Sequence, residues 1–251
     1  MASRIMFFIV IVLLSTACTS SKKIAYFENA TDTTFQSMLN NVESPIQHND
    51  ILNISITSLN KAASEAFNTD FQAVGINTQF AGYLVNNDGN IQMPTLGSIA
   101  AAGLTKTQLK NKITSVILEK KLLLDPIVNI RFLNFEVTVI GEVAKPTVIN
   151  VPNERISLLK AIGLAGDLTI YGKRDNILLI REEDGKKITR HIDINSKDFF
   201  SSPYYYLQPN DVVYVEPNKA KRATASKSQQ TVPIVLSSLS IVAIILTSII
   251  K

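Results

Sequence analysis

Residues 135–151 read FEVTVIGEVAKPTVINV. Val137, Val139 and Val143 are apolar, with Glu136 and Thr138 between them. That alternation is the period of a half-buried strand. Gly141 breaks the run, and Lys145-Pro146 imposes an extended or turned backbone before a second short strand over 147–151. The stretch therefore predicts a β-hairpin whose bend is set by Gly141 and Pro146. A helix is expected behind it over 158–165, with Ser157 as N-cap and Gly166 as C-cap. A strand at 176–181, a turn at Asp184-Gly185 and a strand at 188–194 come next. In the last of these, Ile188, Arg190, Ile192 and Ile194 share one face, and Thr189, His191 and Asp193 the other. Short strands at 204–206 and 211–215 complete one α+β unit.

The residues ahead of this unit form a second one. Positions 46–56 read IQHNDILNISI, a polar turn at His48-Asn49-Asp50 that launches an alternating strand. Asn86-Asn87-Asp88-Gly89 lies between short apolar runs at 83–85 and 91–93, which predicts a hairpin with Gly89 in its turn. Thr105-Lys106-Thr107-Gln108 is a capping box. The helix it opens carries Leu109, Ile113, Val116 and Ile117 on one face. Asp125-Pro126 ends that element, and Val128, Ile130 and Phe132 alternate in the next strand. One short motif recurs in both units. Ile46-Gln47-His48-Asn49-Asp50-Ile51-Leu52 is echoed by Leu207-Gln208-Pro209-Asn210-Asp211-Val212-Val213. An Asx side chain accepts backbone N–H groups in such a turn, so Asp50 and Asp211 read as turn architecture before they read as catalysts.

The two ends of the chain are the most apolar parts. Arg4 precedes an unbroken apolar run, Ile5 to Leu14, and then Ser15-Thr16-Ala17-Cys18. This is the layout of a secretory signal, and the apolar run is too short to span a membrane. Cys18 is the only cysteine, so no internal disulfide exists. The expected divisions are a signal peptide over 1–17, a polar tether over 18–44, the two units over 45–134 and 135–218, a basic linker over 219–231 and a membrane helix over 232–250. The last segment, Val232 to Ile250, contains no charged residue. On a helical wheel Ser237, Ser240, Thr247 and Ser248 fall in one arc, a candidate pore-facing stripe; the alternative is small hydroxyl residues that help membrane helices pack.

Little in the sequence points to chemistry. The net charge is +4, and no aromatic-interleaved basic stripe suggests nucleic acid. The two histidines, His48 and His191, have no metal-ligand spacing, and no phosphate loop, nucleophile elbow or acid/base carboxylate pair stands out. No cofactor, metal or catalytic residue is expected. Tyr204-Tyr205-Tyr206 after Pro203 reads either as aromatic packing or as a contact surface.

These blocks, in this order, resemble the polysaccharide biosynthesis/export lipoproteins, the Wza-type outer-membrane exporters. The turn NDIL, the segment NNDGNIQMPTLG, the helix start GLTKTQL and DPIVNIRF resemble the export domain. VTVIGEVAKP, GLAGDLTIYGKRDN, ILLIREEDGKK and SSPYYYLQPNDVVYVEPN resemble a β-grasp SLBB module. LSTAC resembles a lipobox, with Ser15 where a large apolar residue is usual, so Cys18 would be the acylated residue. The resemblance implies an α+β fold of export domain, SLBB module and C-terminal transmembrane helix. It also implies a homo-oligomeric periplasmic ring, lipid-anchored in the outer membrane, that conducts capsular or extracellular polysaccharide. An inner-membrane copolymerase or tyrosine autokinase would be its partner. The alternative is a membrane-tethered glycan-binding lipoprotein that forms no pore.

Overall fold

In a computed structural model, the structure describes residue 26, residues 43–68, 82–183 and 185–224, and, in the tail, 234, 235, 237, 238, 240–242 and 245. The expected lipobox at Cys18, Thr247, Ser248 and most of the apolar tail lie outside the described residues.

The first unit is built on β1 (Ile51–Thr57), the centre of a three-stranded sheet between β2 (Tyr83–Leu84) and β5 (Ile127–Phe132). Both pairings are antiparallel, with Leu52 opposite Tyr83 and Phe132. Alternation buries Leu52, Ile54 and Ile56 on one face. The helix α2 (Lys106–Glu119) brings Leu109, Ile113 and Ile117 to the same core. Each such side chain contributes about 1.5–3 kcal/mol on leaving water. The capping box at Thr105 and Gln108 forms as expected and fixes where α2 starts. A short helix, α1 (Lys61–Glu65), lies between β1 and β2.

The hairpin expected between 83–85 and 91–93 is corrected. The turn exists: Gly89 takes a φ of +77°, and the Asn86 side chain accepts from the N–H groups of Asp88 and Asn90. The strands around it pair elsewhere. The N–H groups of Ala101 and Ala102 donate to the Gly89 carbonyl, which ties the turn to the far end of β4 (Gly97–Ala100). Strand β3 (Asn90–Met93) therefore pairs with β4, while β2 pairs with β1.

The second unit is a five-stranded mixed sheet. Its strands are β6 (Glu136–Gly141), β7 (Thr147–Asn150), β9 (Gly172–Glu183), β10 (Lys186–Ile192) and β12 (Val212–Pro217), in the order β10-β9-β12-β6-β7. The quoted hairpin is β6 and β7, with Val139 opposite Thr147, and β12 runs parallel to β6. The two-residue strands β8 (Ile156–Ser157) and β11 (Tyr206–Leu207) pair with each other. Helix α3 (Leu158–Leu164) is capped by Ser157, is followed by Gly166 at φ +79°, and buries Leu158, Ala161 and Ile162. The unit combines a helix with strands, as the expected α+β class requires. Gly141 has φ +96°, and a Cβ there would sit 2.2 Å from the Val215 carbonyl oxygen. Close parallel pairing of β6 and β12 therefore requires glycine at that position. Pro146 lies exposed in the β6–β7 turn, and a short helix, α4 (Lys219–Thr224), follows β12. Buried side chains of both units join in one apolar cluster.

Among the described residues no helix is long and apolar enough to cross a membrane. The expected helix over 232–250 is therefore not supported as a span. Its described residues are helical and exposed.

Candidate functional site at the junction of the two units

The two echoed turns have nearly the same geometry. Asn49 and Asn210 take left-handed φ values of 68° and 65°. In each turn the Gln47 or Gln208 N–H donates to Oδ2 of Asp50 or Asp211 at 2.7 Å. Both aspartates are fully buried. Their second oxygens differ. Arg181 clamps Asp211, with Nε donating to Oδ1 at 2.9 Å and Nη2 to Oδ2 at 2.7 Å. Oδ1 of Asp50 is buried without a hydrogen-bond partner. Burial accordingly pushes the Asp50 carboxyl up to about 6, against the pull of the Gln47 N–H.

Arg181 was not singled out by the sequence reading, yet a signal for it exists. Ile177, Leu179 and Arg181 alternate on the buried face of β9, and a cation at a core position implies a buried anion. The expected two faces of β10 hold up to Ile192: Ile188, Arg190 and Ile192 stand opposite Arg181, Leu179 and Ile177. Arg190 is nevertheless exposed, because β10 is the sheet edge, and its Nε donates to the Tyr204 hydroxyl at 2.9 Å.

A crevice of about 590 Å³ opens where the two units meet. Glu43 and Lys106 line it from the first unit, and Arg155, Tyr204 and Tyr206 from the second. Glu154 joins the walls. It pairs with Lys106, and its Oε1 accepts the Phe132 N–H at 2.8 Å. Its own φ of +54° turns the loop far enough to reach across. The tyrosine run divides between the two expected roles. Tyr205 packs on Phe199 and Phe200, with ring centroids 5.2 and 6.0 Å away. Tyr204 and Tyr206 face the crevice, and the Arg155 guanidinium stacks 4.2 Å from the Tyr206 centroid. A second crevice, about 580 Å³, lies between the Asp50 turn and the β9–β10 hairpin. The Gln47 amide crosses it to the Glu182 carbonyl at 2.9 Å.

This arrangement suits binding better than bond-making. Arg181 is paired with Asp211 and Lys106 with Glu154, and the Tyr204 and Tyr206 rings carry guanidinium groups. Among the described residues no group of three or more His, Cys, Asp or Glu could hold a metal ion. Of the expected site residues, Asp50 and Asp211 are buried in turns whose Gln47 and Gln208 line the second crevice together with Gly89, and Gly141 and Pro146 shape the sheet. Ser237 and Ser240 are described far along the chain. Each hydroxyl donates to the carbonyl three residues back, at 2.9 and 2.8 Å.

Comparison with known proteins fits both halves of this fold. Residues 40–133 match the polysaccharide biosynthesis/export protein family, and residues 136–215 match the SLBB domain. Over these residues the chain resembles the polysaccharide biosynthesis/export family. The matched boundary falls between β5 and β6, where the first sheet ends and the second begins. This is a family of export proteins and not of enzymes. Two EPS I polysaccharide export outer membrane proteins named EpsA are similar to the chain. The one from Ralstonia solanacearum is 28% identical over 141 residues, covering 55% of this chain and 37% of that protein. The one from Ralstonia nicotianae is 29% identical over 151 residues, covering 59% and 39%. The aligned part thus spans well under half of either relative.

Proposed function

We propose that this protein is an outer-membrane lipoprotein, acylated at Cys18, whose copies assemble into a ring that conducts capsular or extracellular polysaccharide. The observation that carries the reading is the unbroken succession of export unit and SLBB unit, matched over 40–133 and 136–215. Most of the chain lies in the periplasm on this reading, and an inner-membrane copolymerase or tyrosine autokinase delivers the polymer. Residues 232–250 form a helix in the membrane. Ser237, Ser240, Thr247 and Ser248 face the lumen or the adjacent copy. The protein acts as a passive conduit with no cofactor.

Electron microscopy of full-length protein extracted in detergent tests this. Rings with a central opening are expected. A uniform population of monomers that still binds glycan would leave the tethered glycan-binding reading instead. The junction crevice, with its tyrosines and stacked arginine, is the observation that favours that second reading.

A further inference from the structure

Residue 26 of the tether and the segment leaving β12 meet at one end of the SLBB unit. Tyr26, in the tether, packs against the core and donates from its hydroxyl to Oδ1 of Asp167. Arg174 covers its ring at 4.9 Å. Burial, and then the Asp167 carboxylate, push the Tyr26 phenol well above its ordinary range, so the hydroxyl stays a donor. Three residues further along the same loop, the Ile170 and Tyr171 carbonyls accept from Asn218, the residue just before α4. Lys221 of α4 reaches back to Glu142 at 3.5 Å and lies 5.1 Å from the Tyr171 ring centroid. The β6–β7 turn closes the group, because the Lys145 N–H donates to the Ala165 carbonyl at 2.8 Å and the Ala144 N–H to Asp167 at 2.9 Å.

What this end of the unit presents outward is unusual. Leu164 and Ile170 are 55% and 65% exposed. Lys145, Lys160, Lys219 and Arg222 lie on the segments that carry or hydrogen-bond to this end, also exposed, with no carboxylate partner among the described residues. Three acids of the region are occupied: Glu142 by Lys221 and Thr169, Asp167 by Tyr26, Glu216 by Lys173. Isolated apolar side chains inside a ring of uncommitted cations complement a surface that is anionic outside and apolar just beneath. Covalent geometry supports the same partner. Tyr26 stands eight positions after Cys18, and Val232 eight positions after Thr224. Each stretch reaches at most about 29 Å when fully extended.

We propose that this end of the SLBB unit, centred on Leu164 and Ile170 and rimmed by Lys145, Lys160, Lys219 and Arg222, rests on an anionic lipid headgroup surface, with the Tyr26 clasp drawing the N-terminal tether to the same spot. The inference rests on the membrane anchoring proposed above. Full-length protein carrying Ile170→Cys, with a polarity-sensitive fluorophore on that thiol, is reconstituted into phosphatidylcholine vesicles with and without roughly a quarter phosphatidylglycerol. Leu59→Cys, 94% exposed on the first unit, is the control position, and unsubstituted protein reports any labelling of Cys18. The expected result is a blue shift, and quenching by headgroup nitroxides, at position 170 only. Both should be at least twofold stronger with the anionic lipid, and lost when Lys145, Lys219 and Arg222 are changed to Glu. Emission at 170 as aqueous as at 59, in protein that co-floats with vesicles, overturns the docking face and leaves the anchoring intact. Protein that fails to co-float overturns both.

Discussion

Replacing Arg181 by Met tests the junction most sharply. The Arg181 side chain is 4% exposed and the Asp211 side chain fully buried, so the change leaves a carboxylate out of water with one donor, the Gln208 N–H. Breaking one side of a buried pair costs about 3–5 kcal/mol, because the stranded charge keeps its desolvation penalty. For a chain of this size each kcal/mol moves Tm by roughly 2–4 °C, so a fall on the order of 10 °C is expected. Stranded in this way, Asp211 enters the state in which Asp50 already sits, a buried carboxylate held by one backbone donor. Asp211→Asn added to it should restore most of the loss, since the neutral amide still accepts the Gln208 N–H. Differential scanning fluorimetry, with Lys187→Met as an exposed control, measures both. A single variant no less stable than the control, or a double variant worse than the single, would refute the account of the buried pair.

Four further outcomes are expected. Gly141→Val should cost at least about 2 kcal/mol, from the positive φ and the approach to the Val215 oxygen; an unchanged thermal midpoint would remove the assigned pairing. Asp50→Asn should flatten the pH dependence of stability between about pH 4 and pH 7, worth up to about 3 kcal/mol for the raised carboxyl; equal slopes in wild type and variant would show that Asp50 does not titrate there. Cys18→Ser should abolish incorporation of labelled fatty acid and leave a mislocalised precursor, and equal labelling in the variant contradicts acylation at that residue. In a cysteine scan of 237–251, hydrophilic thiol reagents should modify positions 237, 240, 247 and 248 faster than 245 or 249, and uniform protection would leave a lipid-embedded anchor without a pore.

The readable parts of this fold are those whose signal is local. The capping box, the Ser157 cap and the alternation of β1, β5 and β6 depend on neighbours within a few residues, and each forms as expected. The requirement for glycine at 141 was legible from the break in the strand, although the cause, a carbonyl more than seventy residues away, was not. Strand partners are not local. The turn at Gly89 was legible, but its carbonyl is taken by Ala101 and Ala102, and that tie decides what β3 pairs with. The site follows the same division. The two Asx turns were legible from seven aligned positions that share Gln, Asn and Asp, whereas their difference lies in Arg181, thirty residues from Asp211 in sequence. Glu154 and Tyr26 gave no pattern at all, because each is an isolated polar residue whose role depends on what faces it.

The Glu154 loop bears on how the protein moves. It plugs the second unit into the first where their apolar interiors are already continuous, so no flexible joint separates the two. Bending there would mean pulling a charged side chain out of its socket and wetting shared interior. Such a body tilts or slides as one piece. On the proposed ring reading, any widening for a passing polymer would fall to the seams between neighbouring copies, with each subunit acting as a rigid stave.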